Sequence, residues 1–305
     1  LAMYVENALL KQLQSTGRAY IRRDYLKCIG RSSQKPVACP SLLFGLVRRH
    51  WPDSTIPIVS KGGRGLLRQK IAFACRRARD FILRLMRPPT ESSRSYKIAV
   101  ELVEGSDPKE KCDAFWLAQG DVDPERVLFI MSPENKVFFD AEKEYANIQR
   151  MGAGAVALHP SVSAGGKIPQ WRPTPGPSWL GAYRASLPSA LKPEEHWLNH
   201  QLLYLGEQVA YWESLFRHFG IKMYQHFTES TPDIAIRRIA INRAGGMEMG
   251  KMRSFFVDSL SMKFCFQHEL AFVWNPGYEG WLDSARTKAI VPVGYPWDYL
   301  IESKE

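Results

Sequence analysis

Between residues 197 and 246 the apolar and polar positions predict a helix, a strand and a second helix in direct succession. Leu198, Leu202, Leu205, Val209, Trp212, Phe216 and Phe219 recur at steps of three and four, which places them on one stripe of a helix about six turns long. Gly220 stands where a left-handed C-cap is wanted. The apolar-rich run at 221–227 (IKMYQHF) reads as a buried strand. Thr231, Pro232 and Asp233 open the next helix: Thr231 as N-cap, Pro232 in the first turn where its missing N–H costs nothing, and Asp233 at the positive helix end. That helix closes on Ala244, Gly245 and Gly246.

Upstream, 96–103 (YKIAVELV) predicts a strand, 112–119 (CDAFWLAQ) a short helix, and 126–131 (RVLFIM) a buried strand. Residues 138–151 predict a helix stopped by Gly152, and 154–158 (GAVAL) a strand leading into His159. Strand and helix alternating at this spacing is the signature of a parallel sheet. Residues 161–187, rich in Gly, Pro and Ser, form a loop too long for a simple connector. Further strands are predicted at 262–267 (MKFCFQ) and 289–293 (AIVPV), the latter at an edge or strand end because of Pro292. The fold class is therefore α/β, an open Rossmann-like parallel sheet occupying about 96–300.

Charge separates the front of the chain from this sheet. Residues 1–90 hold 18 Lys/Arg against four Asp/Glu, whereas the remainder holds 23 against 27. Pro36, Pro40, Pro52 and Pro57 break up residues 1–60, where no site is evident. From 61 to 87, Lys61, Arg64, Arg68, Lys70, Arg76, Arg77, Arg79, Arg84 and Arg87 face the single acid Asp80, with apolar residues interleaved. This is a basic amphipathic helix stopped by Pro88 and Pro89. Two readings stand: attachment to an anionic membrane surface, each basic residue contributing roughly 1 kcal/mol, or a solvated helix packed on the body of the protein. The aromatic and readout side chains of a nucleic-acid module are missing, which argues against nucleic acid.

Five scattered cysteines without paired spacing argue against a disulfide framework or a zinc site and suit a reducing compartment. No signal peptide and no apolar run of about 18 residues is present. The expected location is cytoplasmic, with peripheral attachment to the inner membrane face through 61–87. The chain begins with Leu1, so it need not be a whole gene product.

Three stretches together resemble a bacterial family of surface carbohydrate (polysaccharide) biosynthesis proteins, glycosyltransferases of the two-Rossmann-domain GT-B type. Cys112-Asp113-Ala114-Phe115-Trp116 looks like the family's DxFW segment ahead of an RVL strand. Arg243-Ala244-Gly245-Gly246-Met247 followed by Gly250-Lys251-Met252-Arg253-Ser254 looks like its Gly-Gly pair and Q-x-S stretch, although Lys251 or Met252 stands where Gln is common. Residues 290–299 look like the hydrophobic strand, Gly-x-Pro and Asp ending that closes the first Rossmann domain. The resemblance implies an acceptor-side half, with the second domain carrying most of the donor site. It implies no metal and no cofactor, with a nucleotide-sugar as co-substrate and a glycan or lipid-linked acceptor. The alternatives are a non-catalytic, membrane-attached α/β binding or scaffold module, and a sugar-nucleotide epimerase of related architecture.

Glycosyl transfer needs a base near the acceptor hydroxyl and donors for the leaving phosphate. The acid/base candidates at predicted strand ends are His159, His226 and Glu229; a histidine has the right intrinsic pKa, but packed or surface histidines are common. Substrate-binding candidates are Glu101 and Glu104 at the end of the first strand, the Gly245-Gly246 pair, and Arg253 with Ser254. Gly245 and Gly246 are equally well explained as a helix C-cap, and Arg253 as a solvated side chain. Trp171, Trp179 and Tyr183 could stack on a sugar or simply pin the long loop. The GGRG stretch at 62–65 lacks the Gly-Lys-Ser/Thr ending and preceding strand of a phosphate loop.

Overall fold

The structure, a computed structural model, describes residues 37–40, 58–61, 94–110, 112–135, 138–173, 193–226, 232–252, 268–282 and 287–295. The chain divides into two compact units, Leu1–Arg87 with Pro175–Gln208, and Pro88–Thr174 with Val209–Glu305. The amphipathic stretch beyond Lys61, the strand expected at 262–267, and Trp179 and Tyr183 lie outside the described residues.

In the first unit, strands β1 (Val37–Pro40) and β2 (Ile58–Lys61) pair in parallel, Val37 opposite Ile58. Neither was anticipated. Each is a four-residue run beside the prolines that break this region, too short to show a period.

The second unit is built on β3 (Ile98–Leu102), β4 (Val127–Met131), β5 (Gly154–Ala157), β6 (Met223–His226), β7 (Met247–Lys251), β8 (Leu270–Val273) and β9 (Ala289–Pro292). They form one seven-stranded sheet in the order β5-β4-β3-β6-β7-β8-β9, and every pairing is parallel. Among the described residues three α-helices accompany it: α1 (Ala141–Met151), α2 (Pro193–Phe219) and α3 (Pro232–Arg243). This is the α/β, Rossmann-like open sheet expected from the alternation of patterns. Strands β7 and β8 were not anticipated, and the helix expected at 112–119 is reduced to a 3-10 turn at Phe115–Gln119 closed by Gly120 at φ 77°. Pro292 is the last residue of β9, at the edge of the sheet, where its missing N–H breaks no ladder.

Register decides what each face carries. Val100 lies opposite Phe129 and Gln225, and Leu102 opposite Met131. With Ala155 and Ala157 of β5 they form one face, packed against Ile148 of α1 and Leu117. Burying each large side chain here contributes about 1.5–3 kcal/mol. On the other face Tyr224 packs against Trp212 and Phe216 of α2, with ring centroids 5.8 and 5.0 Å away. The predicted stripe of α2 is buried at Val209, Trp212, Phe216 and Phe219. Trp171 is buried against His218 and Phe219, so this loop aromatic pins the loop.

All three helices end in the same way. In α1, α2 and α3 the residues Gly152, Gly220 and Gly245 adopt φ of 78°, 69° and 76°. In each case the glycine N–H donates to the third carbonyl back, and the next N–H to the fifth: Ala153 to Ile148, Ile221 to Phe216, Gly246 to Ile241. This paired closure satisfies the orphan carbonyls of the last turn and requires a left-handed residue. The chain then enters the next strand directly.

Candidate functional site

The order of the sheet reverses at β3: the next two strands run to one side of it, and β6 to β9 to the other. This is a topological switch point between β3 and β6, and open α/β sheets place ligands at the carboxyl ends of the strands beside such a point. A groove of about 250 Å³ lined by Lys97, Asp121, Asp123, Arg126 and Lys222 lies at the opposite, amino ends.

The turn leaving β3 is held by carboxylates of the chain itself. The N–H groups of Val103, Glu104 and Gly105 all donate to Oδ2 of Asp113, at 2.7, 2.8 and 3.3 Å. The next N–H, of Ser106, donates to Oε2 of Glu144 in α1 at 2.7 Å, and the Ser106 hydroxyl donates to the same oxygen at 2.6 Å. Asp113, Ser106 and Glu144 are all buried. Asp113 N–H closes the loop onto the Gly105 carbonyl at 2.9 Å. Burial pushes the Asp113 carboxyl up to about 6, against the lowering influence of Lys251 and the three N–H groups. Among the described residues its Oδ1 makes no hydrogen bond.

The segment after this turn roofs the strand ends. Trp116 Nε1–H donates to Gln225 Oε1 at 2.8 Å, and Gln225 Nε2 donates to the Asp113 carbonyl at 2.6 Å. Lys251, at the end of β7 and only 1% exposed, donates to the Cys112 carbonyl at 3.3 Å and lies 5.3 Å from the Phe115 ring centre. The Cys112 side chain is buried.

The opposite face of the same strand ends carries a buried ionic cluster. Glu101 Oε2 accepts from Arg237 Nη1 at 2.6 Å and from the Tyr224 hydroxyl at 3.1 Å, and lies 3.0 Å from His226 Nε2. Its Oε1 accepts from Asn135 Nδ2 at 3.1 Å. Arg237 also touches His226 Nε2, and its guanidinium lies 4.7 Å from the centre of the Trp212 ring. One strand further, Glu248 Oε1 pairs with His268 Nδ1, and its Oε2 accepts the Glu269 N–H at 3.0 Å. The His226 and His268 ring centroids are 6.5 Å apart. Glu269, itself buried, pairs with the largely exposed Lys288.

Burial alone would raise the Glu101 carboxyl. The Arg237 charge, His226 and the Tyr224 hydroxyl outweigh it and hold the carboxyl at about 2. Burial and the Arg237 charge lower His226, so its ring is neutral at physiological pH. Burial, with Glu101 alongside, raises Tyr224 well above the phenol range and keeps it a donor. A folded-state pKa of about 2 against an ordinary 4.5 means that Glu101 contributes stability fully present above pH 4.5, lost as pH falls through 2. The difference is about 3 kcal/mol. In urea titrations from pH 7 to pH 2, the stability gap between wild type and Glu101→Gln is expected to narrow below pH 4.5 and to have largely closed near pH 2. A gap constant over that range would show that Glu101 titrates normally.

The structure brings together some of the sequence-derived candidates and separates others. Glu101 and His226 meet directly, but in the interior: His226 is 0% exposed and Glu101 2%. In this geometry His226 anchors the end of β6. Glu104, half-buried, sits in the turn through its backbone N–H. His159 is exposed at the end of β5, the far edge strand, where its Nδ1 caps a 3-10 turn by accepting from Ser161 N–H at 3.1 Å. Gly245 and Gly246 lie at the amino end of β7 with both N–H groups engaged by helix carbonyls, so there they form the C-cap and not a ligand contact. Glu229, Arg253 and Ser254 lie outside the described residues.

Sequence reasoning did not single out Arg237, Tyr224, Glu248, His268, Lys251 and Glu144. One signal was available for Arg237: an arginine between Ile236 and Ala240 in a helix whose neighbours are apolar is a candidate for a buried partner.

No protein-family model matches the chain, and no curated protein is significantly similar to it. The reading of the site therefore stands on its geometry.

Proposed function

We propose that this chain is the acceptor-side half of a metal-independent GT-B-type glycosyltransferase, moving a sugar from a nucleotide-sugar to a glycan or lipid-linked acceptor of a bacterial surface polysaccharide. The observation that supports it best is the switch point between β3 and β6 together with the turn beside it. Open α/β sheets take ligands at the carboxyl ends beside such a switch point. Yet the turn where a dinucleotide-binding sheet would hold a pyrophosphate is filled by Asp113 and Glu144, and among the described residues no α-helix starts there. A switch point with no room for phosphate at its first turn suits an acceptor better than a nucleotide. On this reading Glu101, Arg237 and His226 are positioning residues. They set the end of β6, from which the chain runs on to Glu229, the candidate base. The basic stretch at 61–87 would keep the protein on the anionic membrane face where lipid-linked acceptors reside.

The test uses the natural protein that carries this chain, incubated with UDP-, GDP-, TDP- and CMP-sugars and a bacterial membrane fraction. The expected result is release of one nucleotide and labelling of membrane glycan, unaffected by EDTA. Absence of release and of labelling with every donor would overturn the transferase and leave a binding module. Release dependent on a divalent metal would overturn the metal-independent mechanism.

A further inference from the structure

The turn at 103–105 has the composition of an anion site rather than of an ordinary capped turn. Three other described aspartates cap locally. Asp123 accepts from Glu125 N–H, Asp107 from Lys109 N–H, and Asp140 from the N–H groups of Glu142 and Lys143, none of them buried and all within three residues. Asp113 differs in each respect. It reaches back eight to ten residues, is fully buried, and gathers three successive N–H groups on one oxygen. Successive backbone N–H groups converging on one point make an anion-binding nest, the device with which phosphate loops hold their ligand. A lysine commonly completes such a nest, and here the buried Lys251 ammonium acts on the same carboxyl. The place is also the expected one, the carboxyl end of the central strand at the switch point. One feature marks the carboxylate as an imperfect occupant: Oδ1 is buried and makes no hydrogen bond among the described residues, whereas a tetrahedral oxyanion has further oxygens to offer.

We propose that the turn at 103–105 is an oxyanion cradle of the phosphate-binding kind, filled in this chain by its own Asp113 carboxylate and open to phosphate only when that carboxylate is removed, with the next residue, Ser106, staying bound to Glu144. Asp113 then acts as an internal stand-in for a phosphate group. It excludes nucleotide phosphates from this turn and assigns any nucleotide to a different surface. The proposal holds whether or not the protein is a transferase.

The test compares wild type, Asp113→Ala and the near-isosteric Asp113→Asn by thermal melting at pH 7.5. Each is melted in chloride, inorganic phosphate and formate at equal ionic strength. Wild type is expected to show only the small, non-saturating rise that phosphate gives folded proteins through exclusion from their surface. D113A should melt lower in chloride and regain at least half of the loss in phosphate, saturably. D113N, whose amide oxygen still accepts from the nest, should respond to phosphate much less than D113A. Recovery of D113A by formate but not by phosphate would overturn the proposal, since the hole would then fit a carboxylate only. Equal phosphate stabilisation of wild type would overturn it, because the cradle would not be filled. A D113A protein that phosphate does not restore, including one that stays unfolded in phosphate, would overturn it as well. None of these solutions contains a sugar donor or acceptor, so failure here is separable from failure of the transferase reading.

Discussion

Replacing Arg237 by methionine is expected to destabilise the protein by about 3–5 kcal/mol, measured as a fall in the urea midpoint at pH 7. Methionine keeps an unbranched stem but removes the guanidinium, leaving Glu101 buried with only a histidine, a phenol and an amide as partners, the histidine being freed from the lowering influence of the Arg237 charge. Part of that cost is escaped by protonation, so the Glu101 carboxyl should titrate far above 2 in the variant. The diagnostic comparison is the double variant Glu101→Gln with Arg237→Met. With both charges gone no group is left unpaired, and the double variant should be more stable than Arg237→Met alone. Strictly additive losses, or an Arg237→Met protein within about 1 kcal/mol of wild type, would refute the coupling.

Gly250→Ala is expected to cost about 3 kcal/mol for a different reason. Gly250 lies in β7 opposite His226 and Ala271, and a Cβ there would fall within the His268 ring. The ring cannot slide along the strand without leaving Glu248, whose carboxylate is fully buried and held below its ordinary pKa, against the effect of burial, by that histidine. The substitution thus exchanges a packed carboxylate–imidazole contact for a steric clash and a buried carboxylate that has lost that partner. In a His268→Ala background the clash is absent, so adding Gly250→Ala should cost little. A cycle that gave the same loss in both backgrounds would place the effect in the glycine backbone rather than in the ring.

These two sites mark where the sequence was legible and where it was not. Periodicity is local, and what rests on it was readable: the stripe from Val209 to Phe219, the stop at Gly220, the opening of α3 at Pro232, and strands β3, β4, β5, β6 and β9. The strand β7 was hidden because Met247-Glu248-Met249-Gly250-Lys251 looks like surface in isolation. Glu248 and Lys251 are interior only because partners arrive from His268 and from the Cys112 carbonyl, in other parts of the chain. Glu101 and Arg237 are likewise 136 positions apart, and no pattern within a window of one helix can join them. That Glu101 and His226 stand at the ends of strands was legible. That both face inward was not, since it depends on which face α2 and α3 cover. The DxFW-like run identified Asp113 as noteworthy, but its engagement with the turn of β3 is a matter of three dimensions.

The three glycine-closed helix ends have a consequence for how the protein can change over generations. On the amino side of the sheet, α1, α2 and α3 pass into β5, β6 and β7 through two or three residues, each fixed by two backbone hydrogen bonds. An insertion there would break a closure and shift a strand's register, turning its core residues outward. The connections at 103–126, 158–192, 252–269 and 274–288, which follow strands, are longer in sequence, and lengthening a long connection further costs little. The fold thus leaves evolutionary experiment to the connections that follow strands. Relatives that diverged in what they recognise should differ in the length of these connections while keeping the glycines that close the helices.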